Sequence, residues 1–307
     1  MDSLAAAPGT GPATSPLPTL RPPRPRAEFA KLPQDRAVVF GILNVTPDSF
    51  SDGGAYNSLD TAIGHGLRML YAGADVIDIG GESTRPGAEE VDSQTEQGRI
   101  MPVVEAMVKA GALVSVDTRH AETARAALDA GAAIINDISA VDASPEMVEL
   151  IAERQVPYVL MHRRGTAKTM DSLARYQDVV AEVLAELRTA QERFYAAGVT
   201  PEQLIVDPGL GFSKTSEQNW VLLAALERFA ELGNRVLVGT SRKRFLGTLL
   251  TTAGKAAAPL ERDDATVATT ALAAAKGAWG VRVHDVPGNL DAAKVAGRVA
   301  AAARAAR

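Results

Sequence analysis

From Val38 onward the chain alternates short apolar, β-branched runs with longer segments of helical period. The runs span 38–43, 76–79, 113–116, 133–135, 157–161, 204–206, 235–238 and 279–283, eight in all. Nearly continuous apolar runs separated by helices predict parallel strands buried on both faces. The clearest helical segment is 178–196, where Val180, Val183, Leu184, Leu187 and Phe194 recur near a period of 3.6 residues. Ser144-Pro145-Glu146 carries an N-cap hydroxyl, a first-turn proline and an acid suited to the helix dipole. Ala72-Gly73, Ala130-Gly131, Ala197-Gly198 and Lys276-Gly277 stand where helices should end. Right-handed crossovers between eight such strands close into a (β/α)8 barrel, expected as one domain over 37–307. An open doubly wound sheet shares the same rhythm.

Residues 1–36 break the pattern. They hold 8 of the 17 prolines, with five basic residues (Arg21, Arg24, Arg26, Lys31, Arg36) against three acidic ones (Asp2, Glu28, Asp35). Such a stretch buries too little apolar surface to offset its ordering entropy, so it reads as a disordered extension. Removing residues 1–34 is expected to leave the fold and activity nearly intact. No apolar segment follows the start as in a secretory signal.

Composition narrows the chemistry. The net charge is −5, without the basic excess of a nucleic-acid binder. There is no cysteine, which removes disulfides, thiolate nucleophiles, zinc–cysteine sites and iron–sulfur clusters. No run approaches a membrane span. The expected setting is cytoplasmic, with small-molecule partners and neither nucleic acid nor membrane.

The polar residues fall at informative places. Nearly every apolar run ends in a polar group: Asn44, Gly80-Gly81-Glu82, Asp117, Asn136-Asp137, His162, Asp207, Ser241 and His284. In a barrel these ends converge on the C-terminal face, where active sites lie. Two long loops belong to that face, 44–54 with a lone aromatic, Phe50, and 80–87; loops of this kind are commonly functional. Asp117, Asn136 and Asp207 form an acceptor-rich floor suited to a flat heterocycle with several N–H donors. Lys243 can donate to such a ring and offset the acids. A carboxylate-bound metal is the alternative for these acids, although no histidine spacing supports it. Arg282 and His284 alternate in the last run and so share a face, which suggests an anionic phosphate ligand at the eighth strand. Walker and G-x-G-x-x-G cradles are absent.

The stretches 41–54 (GILNVTPDSFSDGG) and 78–87 (DIGGESTRPG) resemble the two signatures of the bacterial dihydropteroate synthases. The similarity continues through Ser115-Val116-Asp117-Thr118, Asn136-Asp137, Met161-His162 and the stretch 207–212. It ends in the stretches 241–245 and 281–285, and covers about 38–300. The resemblance implies a (β/α)8 transferase of folate biosynthesis. Such an enzyme joins 6-hydroxymethyl-7,8-dihydropterin diphosphate to 4-aminobenzoate and releases diphosphate with Mg2+. It implies that Asp117, Asn136, Asp207 and Lys243 hold the pterin, with Met161 and Phe212 lining the pocket. Arg282 and His284 would hold the diphosphate, and Asn44 would do so through the metal. Phe50, Thr84, Pro86 and Arg244 would border the aminobenzoate, and Asp52 belongs to the first loop. Arg244 stands where many relatives carry serine. Asp117, Lys243, Asp52 and Phe50 are the implied catalytic set, and the family implies a homodimer that sulfonamides inhibit. A pterin-dependent methyltransferase and a catalytically weak pterin-binding paralogue remain alternatives.

Overall fold

The computed structural model describes residues 28–46, 54–83 and 89–306. Eight strands follow the expected runs to within a residue or two: β1 (Val38–Asn44), β2 (Val76–Gly80), β3 (Val114–Asp117), β4 (Ile134–Asp137), β5 (Tyr158–Met161), β6 (Leu204–Asp207), β7 (Arg235–Val238) and β8 (Gly280–Val283). All pair in parallel, in chain order, and β8 returns to β1, so the sheet is a closed barrel and not an open one. The helices are α1 (Gly54–Tyr71), α2 (Ser93–Lys109), α3 (Ala121–Asp129), α4 (Pro145–Arg154), α5 (Val179–Ala196), α6 (Ser216–Ala224), α7 (Arg244–Leu249), α8 (Asp263–Ala275) and α9 (Val286–Ala305).

Local chemistry sets several boundaries. Ser144 Oγ caps α4 by accepting from the Met147 N–H, with Pro145 in the first turn. Asp178 caps α5 through the Val180 and Ala181 N–H groups. Thr215 and Gln218 form a reciprocal capping box at α6.

Strand parity then sorts the side chains into layers. On the outward faces, Val39, Ile77, Ile79, Val116, Ile135, Leu160, Val206 and Val238 pack under the helices in one large core. On the inward faces, Val38, Phe40, Val76, Leu113, Ile134, Val159, Ile205 and Leu237 form a smaller, dry core at the N-terminal end. Two residues further along, the inward positions of β2, β3, β4, β6 and β8 are polar (Asp78, Ser115, Asn136, Asp207 and Arg282), while β1 and β5 keep Ile42 and Met161, which places a largely polar floor directly above an apolar plug.

Residues 28–36 correct the expectation of an extension running to residue 36. Leu32 is buried in the barrel's lower core, and Phe29 packs on Trp279 with ring centroids 5.8 Å apart. The Arg36 guanidinium makes two bonds to Asp75, at 2.7 and 2.8 Å. The prolines lie mostly upstream, so composition averaged over 1–36 masked a short segment with apolar anchors. The expectations for residues 1–27 lie outside the described residues.

Two truncations should therefore behave differently. Deleting residues 1–27 is expected to leave the melting temperature nearly unchanged. Deleting residues 1–36 removes Leu32, whose burial is worth about 1.5–3 kcal/mol, together with the Arg36–Asp75 pair. A fall on the order of 5–10 °C is expected by scanning calorimetry.

Candidate active site

The floor is built from the inward-facing residues at the C-terminal ends of the strands. Asp117 ends β3 beside Asn136 of β4, and Met161 of β5 pairs in register with Asp207 of β6. Asp117, Asn136, Met161 and Asp207 are all buried. Parity separates two residues of the expected strand-end set from the others. Asp137 points outward, accepting from Tyr158 Oη at 2.8 Å and from the Ser139 N–H at 2.7 Å. His162 also turns outward, toward Glu186 of α5. Both are held in the shell between sheet and helices, so neither belongs to the floor.

Asp78 was not among the expected site residues, yet it lies at the centre. It faces inward from β2 and is fully buried. Its Oδ2 accepts from Arg282 Nε at 2.5 Å and from Asn136 Nδ2 at 3.1 Å. Arg282 also donates from Nη2 to Asp117 Oδ2 at 2.5 Å. One guanidinium thus ties β8 to β2 and β3. The sequence does carry a signal for Asp78: a carboxylate inside an apolar run, on the same parity as Val76. Asp78 Oδ1 and Ser115 Oγ are buried without a hydrogen-bond partner among the described residues. They sit on register-paired positions of β2 and β3.

Burial and charge shape the titrating groups. Burial pushes the Asp117 carboxyl up to about 7; Arg282 opposes this, and Asp78, Glu96 and Asp137 add to it. Burial also raises Asp207, against the pull of Lys243 and a 2.7 Å bond from the Gly209 N–H. Lys243 is lowered to about 8 by burial, with Asp207 favouring its charged form. Arg282 loses solvation but gains more from Asp78 and Asp117, which keep it charged. An acid pushed up and a base pushed down toward neutrality on one buried floor are characteristic of functional sites.

The turns around the floor place Lys243. It stands at the start of α7, after Arg242, whose backbone is left-handed (φ 58°) and whose guanidinium bonds Asp263 at 2.7 and 2.8 Å. Lys243 Nζ donates to the Leu210 carbonyl and lies 4.7 Å from the centre of the Phe212 ring. Gly209 allows this arch: its φ is 67°, and a Cβ there would fall 1.8 Å from the His162 carbonyl oxygen.

Ser241 Oγ and His284 Nδ1 are 2.9 Å apart, so β7 and β8 share a polar rim near Arg282. Asn44 is half-buried at the end of β1, opposite Gly80 of β2. Among the described residues no three carboxylate or histidine side chains group into a metal cage. The carboxamide oxygen of Asn44 is a hard ligand of the kind that fits Mg2+, which keeps several waters and is commonly shared with substrate phosphates. Arg244 is exposed and pairs with Asp171 at 3.1 Å, on the rim and not in the floor. Phe50, Asp52, Thr84 and Pro86 lie outside the described residues.

Two outcomes test the central ion cluster. Arg282→Ala leaves two buried carboxylates without their counter-charge, a loss of roughly 3–5 kcal/mol. Denaturant titration should show that loss shrinking as pH falls toward about 7, because without Arg282 the Asp117 of the variant takes up its proton at a higher pH than that of the wild type. Asp78→Asn removes a charge that raises Asp117. Carbon-detected NMR of the Asp117 carboxyl should then show its titration midpoint moving down from about 7.

Comparison with known proteins agrees with this geometry. The family model of pterin binding enzymes matches residues 40–284. The dihydropteroate synthase of Mycobacterium leprae is 51% identical over 261 residues, covering 84% of this chain and 92% of its own. That of Escherichia coli is 45% identical over 258 residues, with coverage of 84% and 89%. The Xanthomonas albilineans dihydropteroate synthase in complex with 7,8-dihydropteroate superposes with a TM-score of 0.79 at 42% identity, covering 90% of this chain and 99% of that one. The same enzyme with 4-aminobenzoic acid gives 0.80 at 44% identity, over 87% and 94%. A barrel with this floor, matched along most of its length by these sequences and structures, belongs to the pterin-binding enzymes and, among them, to the dihydropteroate synthases of folate synthesis.

Proposed function

We propose that the condensation of 6-hydroxymethyl-7,8-dihydropterin diphosphate with 4-aminobenzoate runs here by loss of diphosphate before the amine attacks. On this reading the buried charges at the barrel centre determine that order. The observation that carries the reading is the convergence of Asp117, Asn136, Asp207, Lys243 and Arg282 on one inward-facing floor. Asp207 and Asn136 accept and donate along the pterin edge, Lys243 donates to a ring acceptor, and Met161 and Phe212 cover the ring. The bond between the methylene carbon and the diphosphate oxygen breaks, and its electron pair leaves with the diphosphate. The remaining cation is delocalised into the electron-rich ring. Asp117 lies where its negative charge favours that cation, while Arg282 and the His284 rim face the departing anion. The arylamine nitrogen then bonds to the carbon and releases a proton. No enzyme nucleophile is needed.

Mg2+ held through Asn44 would supply additional positive charge at the diphosphate. Phe50, Asp52, Thr84, Pro86 and Arg244 would border the aminobenzoate. The Yersinia pestis synthase is known in a sulfonamide drug complex; inhibition of this chain by sulfonamides, which occupy space an arylamine needs, belongs to the same proposal. A homodimer does too, through the apolar face of Leu249, Leu272, Val295 and Val299, all exposed on α7, α8 and α9. Among the described residues no helix is long and apolar enough to cross a membrane. A cytoplasmic location follows from the substrate, because a diphosphate does not cross a bilayer unaided.

The test is dihydropteroate formation by purified protein, compared with Asp117→Asn. The amide is nearly isosteric but uncharged. A pre-organised group in a closed site is worth about 2.7–4 kcal/mol, roughly a hundred- to a thousandfold in kcat. The KM for the pterin substrate should change much less. A folded variant, checked by circular dichroism, with near-normal kcat and weakened binding would make Asp117 a recognition residue only. Wild-type protein that binds pterin without forming product would be a weak paralogue.

A further inference from the structure

Behind the floor, between the outward side of β5 and helix α5, lies a polar chain that the mechanism above does not use. Lys214, in the loop from β6 to α6, is only 4% exposed. Its Nζ is 2.9 Å from His162 Nδ1 and donates to the Phe212 carbonyl at 2.9 Å. His162 is fully buried, and its Nε2 lies 2.9 Å from Glu186 Oε2 on α5. A lysine donating to Nδ1 leaves the ring proton on Nε2, from which it is given to Glu186. Burial and the Lys214 charge lower His162 to about 4, which keeps the ring in that neutral form. Burial alone would raise Glu186, but bonds from His162 and Arg164 hold it down to about 2. Arg164 also lies 3.9 Å over the Tyr176 ring. The chain therefore runs from the half-exposed side of α5, through β5, to the loop above the floor.

Burial pushes the Lys214 ammonium down to about 7, with Asp207 favouring its charged form and Lys243 opposing it, so its bonds to His162 and the Phe212 carbonyl offset only part of its lost hydration. The loop that Lys214 holds is correspondingly constrained. Ser213 is left-handed (φ 53°), and its Oγ donates to the Arg164 carbonyl at 2.5 Å. The Gly211 N–H is fixed by Asn219 Oδ1 at 2.6 Å. The arch so tied down presents the Leu210 carbonyl and the Phe212 ring to Lys243. Lys214 itself bonds His162 and the loop backbone, within electrostatic reach of Asp207 and Lys243.

We propose that Lys214 is a positioning residue for the pterin half of the reaction: through His162 and Glu186 it clamps the 209–212 arch against β5 and so aims Lys243 at the floor. This rests on the pterin-binding reading above. It makes the chemistry at Lys243 depend on a hydrogen-bond chain that ends on the outer side of the barrel.

The experiment is two-substrate kinetics, with calorimetry using 6-hydroxymethyl-7,8-dihydropterin diphosphate as the probe. Lys214→Met keeps the stem and removes the donors. Its KM and Kd for the pterin substrate should rise about tenfold, as a residue coupled to the site without touching the ligand can produce, while the KM for aminobenzoate stays within about twofold. His162→Gln, which can accept from Lys214 and donate to Glu186, should retain most of the wild-type affinity. His162→Leu should behave like Lys214→Met. Should Lys214→Met fail to fold, Glu186→Leu, which removes the acceptor at the half-exposed end of the chain, must show the same selective rise, in smaller measure. Unchanged pterin affinity in the folded variants, or an equal rise for both substrates, overturns the proposal. Wild-type protein that does not bind the pterin probe overturns the functional reading instead.

Discussion

The central constraint in this molecule is one guanidinium shared by two buried carboxylates. Arg282 of β8 meets Asp78 of β2 and Asp117 of β3 at 2.5 Å each, inside a closed barrel. Breaking such a group strands charge in a low dielectric, so each member holds the others in place. The pairing ties the last strand to the second and third, and it sets the charge available at the floor. It also keeps Asp117 near neutrality, since Arg282 opposes what burial and Asp78 impose.

The layer beneath makes that arrangement possible. Eight inward side chains, among them Phe40, Ile134 and Leu237, fill the N-terminal half of the barrel and exclude water. Leu32, Phe29 and Trp279 close the bottom. Polar groups one pleat higher therefore look upward only, toward the C-terminal loops. The same pleat turns Asp137 and His162 outward, where they bond Tyr158 and Glu186. Two adjacent acceptors in the sequence, Asn136 and Asp137, thus serve different purposes, one at the floor and one in the shell.

Much of this was legible in advance. Runs of β-branched residues gave all eight strands, because a strand buried on both faces leaves an unmistakable apolar signature. Asp117, Asn136 and Asp207 were legible because each ends such a run, and a strand end in a barrel has only one place to go. Asp78 was overlooked because it stands inside a run, where its neighbours suggest a buried packing position. Only parity with Val76 marks it as inward. Lys214 carries no sign of this role in the sequence, since the His162 ring it bonds lies 52 residues away in the chain. Residues 28–36 look like part of the tail because the prolines upstream dominate the average composition.

By itself, then, the sequence determined the strand count, the parallel order and the identity of the groups that can crowd one end of a barrel. These follow from period, length and residue type, which act over a few neighbouring positions. Tertiary structure decided which of those groups face each other, which turn into the shell, and how far burial moves their charges. Those outcomes depend on barrel closure, which brings β8 beside β1 and places Arg282 among carboxylates 165 and 204 residues away. Desolvation and Coulomb energy act through space, over a few ångströms, so they come into force only once the sheet has closed.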